Sequence, residues 1–228
     1  TASGYASHTE GNATTASRDY SHAEGKSTAA SGLYSHAEGR GTTASGNNSH
    51  AEGATTAASN YAAHAEGNET TASGNSSHAE GQSTTASGNN SHAEGNNTTA
   101  SGNCSHAEGC QTTAGGRYSH AGGYYTKALK VAEFAHGQYN QSNNNTLFSI
   151  GDGTADDARH NAFEITTTGG KLHNKDIATT DLIPTALPAN GGNADTVDNL
   201  HASDFAKATN PSIEGEIRLL RSGNATTN

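Results

Sequence analysis

The chain has 228 residues and a formal net charge of −10, and 30% of its residues are hydrophobic, against about 45–50% in ordinary globular domains. A chain so poor in apolar side chains is either disordered or held together by repetition and partner chains. The acidic balance and the lack of a basic stripe argue against a nucleic-acid partner. No stretch approaches the roughly 20 apolar residues of a membrane span, so we expect no membrane insertion.

A fourteen-residue repeat occupies residues 1–153. One half has the form Ser-His-Ala-Glu-Gly, as in 49–53, and the other Thr-Thr-Ala-Ser-Gly, as in 42–46. Regular glycines and paired β-branched threonines oppose a helix. The repeat predicts an all-β fold, a solenoid with two five-residue strands and two two-residue corners in each coil. The corners are rich in Asn and Gly, which accept positive φ angles.

Strand alternation assigns each repeat position to a face. Ser, Ala and Gly of the first half, and the first Thr, Ala and Gly of the second, are predicted to point inward as a thin filling. His and Glu then point outward on one broad side, with Gly122 replacing Glu in the ninth copy.

The same register continues past His120 into two degenerate coils. Phe134 and Phe148 take the His position, and His136 and Ile150 take the Glu position. A face that accepts Phe and Ile is most simply a buried one, so we expect the whole outward face to meet partner chains. Eleven coils at about 4.8 Å each predict a shaft of roughly 50 Å. The predicted interface ladder comprises His8, Glu10, His22, Glu24, His36, Glu38, His50, Glu52, His64, Glu66, His78, Glu80, His92, Glu94, His106, Glu108, His120, Phe134, His136, Phe148 and Ile150.

Buried charges need partners, so we expect each His to pair with a Glu. Pairing predicts raised His pKa values, lowered Glu pKa values and a stability maximum at mildly acidic pH. A metal site is the alternative, but successive histidines lie a full coil apart, and we expect no compact ligand set within one chain. A solvated face is the third possibility. We predict no metal and no cofactor.

Catalysis has little support in the sequence. His and Glu recur in identical environments, whereas an active site needs distinct groups at one place. Asp156 and Asp157 are adjacent and are interpreted as a turn. Cys104 and Cys110 are predicted to lie about 20 Å apart as free thiols, with an interchain bridge as the alternative. No catalytic residue is predicted.

The composition changes after residue 153. We predict a neck or short β-hairpin in 154–182, because Phe163 and Ile165 alternate around Glu164. Pro and Gly indicate a linker in 183–210. Residues 211–228 are expected to begin a further domain that is cut off at the end of this sequence.

The half-repeats resemble the left-handed parallel β-roll of trimeric autotransporter adhesin (YadA-like) heads, most closely at 147–151. The Ser-His-Ala-Glu-Gly variant is similar to roll repeats of phage and prophage tail proteins, and 193–205 resembles a segment of phage tail fibres. The resemblance implies a left-handed roll and a homotrimer.

The expected function is a structural fibre segment of a phage tail or tail-like particle, located in the virion and exposed outside the cell. It would position or contribute to host receptor binding, with other tail or baseplate proteins and a glycan or protein receptor as partners. One alternative is a bacterial surface adhesin head that binds host matrix. Another is the stalk of a tail protein with an enzymatic or autoproteolytic domain beyond residue 228.

Overall fold

The computed structural model describes residues 1–173 and 175–176, which belong to one compact unit, Thr1–Ile177. The secondary structure of these residues is entirely β, so the predicted all-β solenoid is confirmed. The sequence predictions for 183–210 and 211–228 lie outside the described residues.

The repeat gives alternating long and short strands. In chain order they are β1 (His8–Asn12), β2 (Thr15–Ala16), β3 (His22–Lys26), β4 (Ala29–Ala30), β5 (His36–Arg40), β6 (Thr43–Ala44), β7 (His50–Ala54), β8 (Ala57–Ala58), β9 (His64–Asn68), β10 (Thr71–Ala72), β11 (His78–Gln82), β12 (Thr85–Ala86), β13 (His92–Asn96), β14 (Thr99–Ala100), β15 (His106–Ala107), β16 (Thr113–Ala114), β17 (His120–Ala121) and β18 (Lys127–Ala128). The remaining strands are β19 (Phe134–Gln138), β20 (Thr146–Asp152), β21 (Asn161–Thr166), β22 (Gly169–Leu172) and β23 (Lys175–Asp176).

Two sheets form the walls of the roll. The odd-numbered strands from β1 to β19, with β20 to β23, build a 14-stranded sheet, which we call the long sheet, and the even-numbered strands from β2 to β18 build a 9-stranded sheet. Consecutive coils pair in parallel with an offset of fourteen residues, so that His36 pairs with His50 and Glu38 with Glu52. Equivalent side chains are therefore stacked in files along the roll.

The core consists of alanine. Each strand from β2 to β19 places one Ala inside, and every one of these residues has a relative exposure of 0%. They are Ala16, Ala23, Ala30, Ala37, Ala44, Ala51, Ala58, Ala65, Ala72, Ala79, Ala86, Ala93, Ala100, Ala107, Ala114, Ala121, Ala128 and Ala135. This confirms the predicted thin filling of small residues, since protein interiors pack closely and an alanine file leaves little room for larger groups.

A left-handed residue closes each corner. Positive φ recurs at every seventh residue from Ala6 (50°) to Tyr139 (42°), where Asn and Gly are a minority. Even Thr55, a β-branched residue that disfavours this region, has φ 59°. The corner amides join the ladder between coils, as where Thr55 N donates to Arg40 O at 2.8 Å. The composition of the corners therefore predicted their conformation only in part.

Two details of the predicted repeat were wrong. The second half forms a two-residue strand, such as Thr43–Ala44, rather than a five-residue one. The Gly of the first half does not point inward: Gly53 is exposed with φ 105°, and a Cβ there would lie 2.2 Å from Gly67 O of the next coil. This position needs Gly because the coils approach too closely for a side chain.

Larger polar side chains close the end of the roll. Glu133 occupies the position of Ser119 one coil earlier and is buried. Its carboxylate accepts hydrogen bonds from Leu129 N (2.7 Å), Lys130 N (2.9 Å) and Ser142 Oγ (2.8 Å). Burial raises the pKa of Glu133. These bonds satisfy corner amides after the repeat has become irregular.

The degenerate coils follow the predicted register. Phe134 pairs with Phe148 and His136 with Ile150 in the parallel pairing of β19 and β20. Beyond them, β21 and β22 form an antiparallel hairpin within 154–182, and β21 pairs with β20. The hairpin therefore extends the long sheet.

Two smaller predictions concern pairs of like residues. Asp156 and Asp157 form a turn, as expected. Cys104 and Cys110 are free thiols within the chain, and an interchain bridge stays a prediction.

Candidate functional site: the histidine–glutamate face

The outward face of the long sheet has a continuous stack of imidazoles. From His22 to His106 neighbouring rings lie 4.7–4.9 Å apart between centroids, with interplanar angles of 2–6°. The in-register parallel pairing produces this spacing, because each coil rises by one strand separation. The Glu side chains form a parallel file beside the rings. We call this surface, with its continuation to Leu172, the ladder face.

The pairing of His with Glu changes partner along the face. Each His from His8 to His64 lies 3.6–4.0 Å from the Glu of its own coil, between Nε2 and Oε2. From His78 to His120 each Nε2 lies 3.1–3.8 Å from Oε1 of the preceding coil's Glu. Glu66 is the residue that contacts both His64 and His78.

The change of partner suits the end of the array. His120 has no Glu in its own coil, because Gly122 takes that position. Its Nε2 lies instead 3.2 Å from Glu108 of the preceding coil, and the histidines back to His78 share this offset.

Most of these pairs are too long for hydrogen bonds. Only His106 and His120 reach hydrogen-bond distance, at 3.1 and 3.2 Å from Glu94 and Glu108. The Nε2 atoms of six other histidines are withdrawn from water without a partner: His22, His36, His50, His64, His78 and His92. A buried nitrogen without a partner costs free energy, so the isolated chain leaves the ladder face incompletely satisfied.

The pKa values of His36, His50, His64, His78 and His120 are lowered. For His50, His64 and His78 the main cause is desolvation, followed by the neighbouring imidazole in the stack. The predicted rise was wrong, because loss of water and repulsion within the file outweigh attraction to glutamates 3.7–3.9 Å away. A lowered folded pKa gives stability that is present above pH 6.5 and lost as the pH falls below it. The histidines therefore do not favour mildly acidic pH.

The glutamates alternate instead of responding uniformly. Hydrogen bonds shared with Glu80 and Glu52 raise the pKa of Glu66 to about 7. Sharing with Glu66 lowers the pKa values of Glu52 and Glu80, and desolvation raises that of Glu38. Neighbouring carboxylates disfavour each other's ionisation, so within Glu52, Glu66 and Glu80 the middle residue holds a proton most readily. The predicted uniform lowering holds for only part of the file.

Compact ligand sets for a metal exist on this face, contrary to the sequence expectation. His64, Glu66 and His78 place one ligand atom each within 4.8 Å of one another, as do His92, Glu94 and His106. The expectation failed because stacking brings residues twelve and fourteen positions apart to one place. Two imidazoles and a carboxylate are suitable ligands for a divalent transition metal.

The far end of the ladder face is apolar. Phe134 stacks on His120 at 4.7 Å and on Phe148 at 5.2 Å. Ile150 and Leu172 are 42% and 54% exposed. Phe163, Ile165 and Leu172 extend the face through the antiparallel pairs Phe148–Ile165, Ile150–Phe163 and Phe163–Leu172.

All predicted ladder residues therefore lie on one surface, and contact with partner chains stays a prediction. The sequence interpretation missed Phe163, Ile165 and Leu172 as members of the ladder face. Their period-two alternation was visible, but the pairing of β21 with β20 was not.

The fold and this surface define the chain as a β-solenoid repeat protein. No known family model matches its sequence, and no curated protein shows significant similarity to it. Within 1–173 and 175–176, no helix has the length and apolar character needed to cross a bilayer.

Proposed function

We propose that the chain is a structural, trimer-forming fibre segment of a phage tail or tail-like particle. Three copies would meet along the ladder face and together position a receptor-binding part of the particle. The role is mechanical and adhesive rather than catalytic. The observation on which this proposal rests is the apolar end of the ladder face, which the isolated chain leaves open.

The apolar end supports a second and third copy as the occupants. Phe134, Phe148, Ile150 and Leu172 stand in the same outward register as the histidines and glutamates, so one partner surface can cover the whole file. A chain identical to this one supplies the same 14-residue spacing and the same transition from polar to apolar. Rotational symmetry would align the polar and apolar files of identical chains along a common axis.

The electrostatics of the ladder face are compatible with burial. Lowered pKa values favour the neutral imidazoles of His36, His50, His64 and His78, and the pKa of Glu66 is raised to about 7. Covering the face would remove more water, which would lower the pKa values of these histidines and raise that of Glu66 further. A partly neutral ladder therefore costs less to bury than fully ionised pairs would.

A trimer also suits an attachment fibre physically. The coils cover one another in sequence, so long sheet edges are absent along the rod and remain only at its ends. Three parallel chains present three copies of any binding surface, which raises avidity without any new contact. The resemblance of 1–153 and 193–205 to tail proteins supports the phage setting over the adhesin setting.

Oligomeric mass tests the assembly. We expect light scattering to give three times the 23.1 kDa chain mass. Ile150→Asp should weaken the trimer at least 100-fold, because it places three carboxylates in an apolar interface. Since Ile150 is 42% exposed in the single chain, the variant should keep its circular dichroism spectrum.

The matched control is Val131→Asp, which adds the same charge at an exposed apolar corner away from the ladder face. It should remain trimeric. A stable monomeric wild type, or equal weakening by both variants, would overturn the proposed interface.

Electron microscopy with gold-labelled antibodies against the chain tests whether it belongs to a tail-like particle or to a cell surface. Labelling of tail-like particles from the source culture supports the fibre. Labelling of intact cell surfaces alone would reject it in favour of the adhesin head.

A further inference from the structure

We propose that Asp152, His160 and His173 form a transition-metal site that fixes the terminal hairpin to the end of the roll. The proposal is independent of the trimer, because all three ligands come from one chain. The site lies at the end of the roll and shares no residue with the compact ligand sets of the ladder face.

Three separate segments converge at this site. Asp152 ends β20, His160 precedes β21, and His173 follows β22. His160 Nδ1 contacts Asp152 Oδ1, and His173 Nδ1 lies 3.6 Å from Asp152 Oδ2. Each carboxylate oxygen therefore faces one imidazole nitrogen, and the two rings lie 6.1 Å apart with an interplanar angle of 19°.

Backbone bonds hold each ligand in place. Asp152 N donates to His160 O at 3.1 Å, and His173 N donates to Ala162 O at 2.8 Å. Arg159 anchors the segment before His160, with Nη1 donating to Tyr125 O (2.7 Å) and Asn140 O (3.0 Å). The convergence of the three side chains is thus built into the fold.

The donor set suits a borderline divalent metal such as Zn²⁺. Two imidazoles and one carboxylate are a common set for such ions, with bonds of about 2.0–2.2 Å and water completing the shell. The three ligand atoms already lie within 4.8 Å of one another. Bonds of that length place tetrahedral ligand atoms about 3.3 Å apart, so small side-chain rotations complete the site.

The site is open to solvent. The side chains of His160, Asp152 and His173 are 36%, 38% and 63% exposed, which permits both those rotations and the entry of an ion. A bound ion would join the last strand of the roll, the connecting segment and the hairpin. Its binding free energy would then stabilise the hairpin directly.

Hydrogen exchange on the full chain tests this inference. Zn²⁺ should slow the exchange of amides in 169–172 and 175–176 at least tenfold at pH 7.5, because the hairpin opens less often when the residues at its two ends, His160 and His173, are ligated. Mg²⁺ at the same concentration should not, since it prefers oxygen ligands. Cobalt substitution should add visible absorption of a low-symmetry site.

Variants identify the ligands. Asp152→Asn and His173→Gln should each abolish the protection, and both residues are exposed enough for the fold to survive. His78→Gln is the matched control, since it removes a histidine from a ladder set and should leave the hairpin protection intact. The inference is overturned if Zn²⁺ gives no protection in the wild type, if Mg²⁺ acts equally, or if protection persists in both site variants.

Discussion

Within the regular coils, the residue that limits the width of the roll is alanine. One alanine from each strand from β2 to β19 is fully buried, and the other buried side chains of the coils up to β18 are serine or threonine, save Ala63. Burial of such small side chains releases little free energy per residue. Much of the cohesion must therefore come from the backbone ladder between coils and from the many repeats of the same contact.

Buried hydroxyls contribute unequally to that cohesion. Ser35 Oγ donates to Gly32 O at 2.7 Å, and the same bond recurs in other coils. Thr126 Oγ1 donates to Gly122 O at 3.0 Å. The hydroxyls of six earlier threonines are buried without a partner: Thr28, Thr42, Thr56, Thr70, Thr84 and Thr98.

Replacing one unpaired hydroxyl should therefore stabilise the roll. Thr84→Val keeps the shape of the side chain and removes a buried group without a partner, so we expect a gain of about 1 kcal/mol. The control Thr126→Val, at the equivalent position three coils later, removes a hydrogen bond and should cost about 1 kcal/mol. Chemical denaturation measures both. Shifts of the same sign would contradict this explanation.

At the scale of the element, the ladder face behaves as one titrating unit. Imidazoles and carboxylates stacked at one strand spacing interact more strongly with their own file than isolated residues would. Together with desolvation, which is the larger cause, this explains why the pKa values of His50, His64 and His78 are lowered although a glutamate lies beside each one.

A single neutral substitution tests the carboxylate file. Glu66 takes up its proton more readily in the fold, at a pKa of about 7 against 4.5 ordinarily. Its contribution is thus fully present below pH 4.5 and lost as the pH rises through about 7. Glu66→Gln should therefore melt higher than the wild type at pH 8 and close to it at pH 5.

The matched control for the file is Glu69→Gln. It removes the same charge from an exposed corner of the same coil and should shift melting little at either pH. If Glu66→Gln melts below the wild type at pH 8, attraction to His64 and His78 dominates and the proton-sharing account fails.

At the scale of the whole molecule, the roll is a one-dimensional array. Each coil contacts its neighbours, so stability sums over coils and their interfaces. The 14-residue offset of the pairing makes one whole coil the unit that can be removed without changing any face.

Deleting residues 71–84 should therefore give a shorter, folded roll with an unchanged apolar end and only a small loss of stability. Deleting 71–77 places the His half of one coil against the Thr half of the next, so core and surface positions no longer match. We expect this second deletion to abolish cooperative melting. Circular dichroism on heating distinguishes them, and equal behaviour of the two would contradict a strict 14-residue coil.

The sequence by itself determined the period, the alanine core, the outward side of the histidines and the continuation of the register to Ile150. These follow from side-chain alternation and exact repetition, which are local properties. Only the tertiary structure decided the left-handed corners at residues such as Thr55, the outward Gly53, the sharing of Glu66 and the sign of the histidine pKa shifts. Those depend on how closely coils stack.

The same reason explains the terminal cluster of Asp152, His160 and His173. Asp152 ends the last coil, His160 and His173 follow it, and no local sequence pattern joins the three. Antiparallel pairing of β20, β21 and β22 brings them together, and such non-local pairing is decided by the packing of the whole sheet rather than by any one segment.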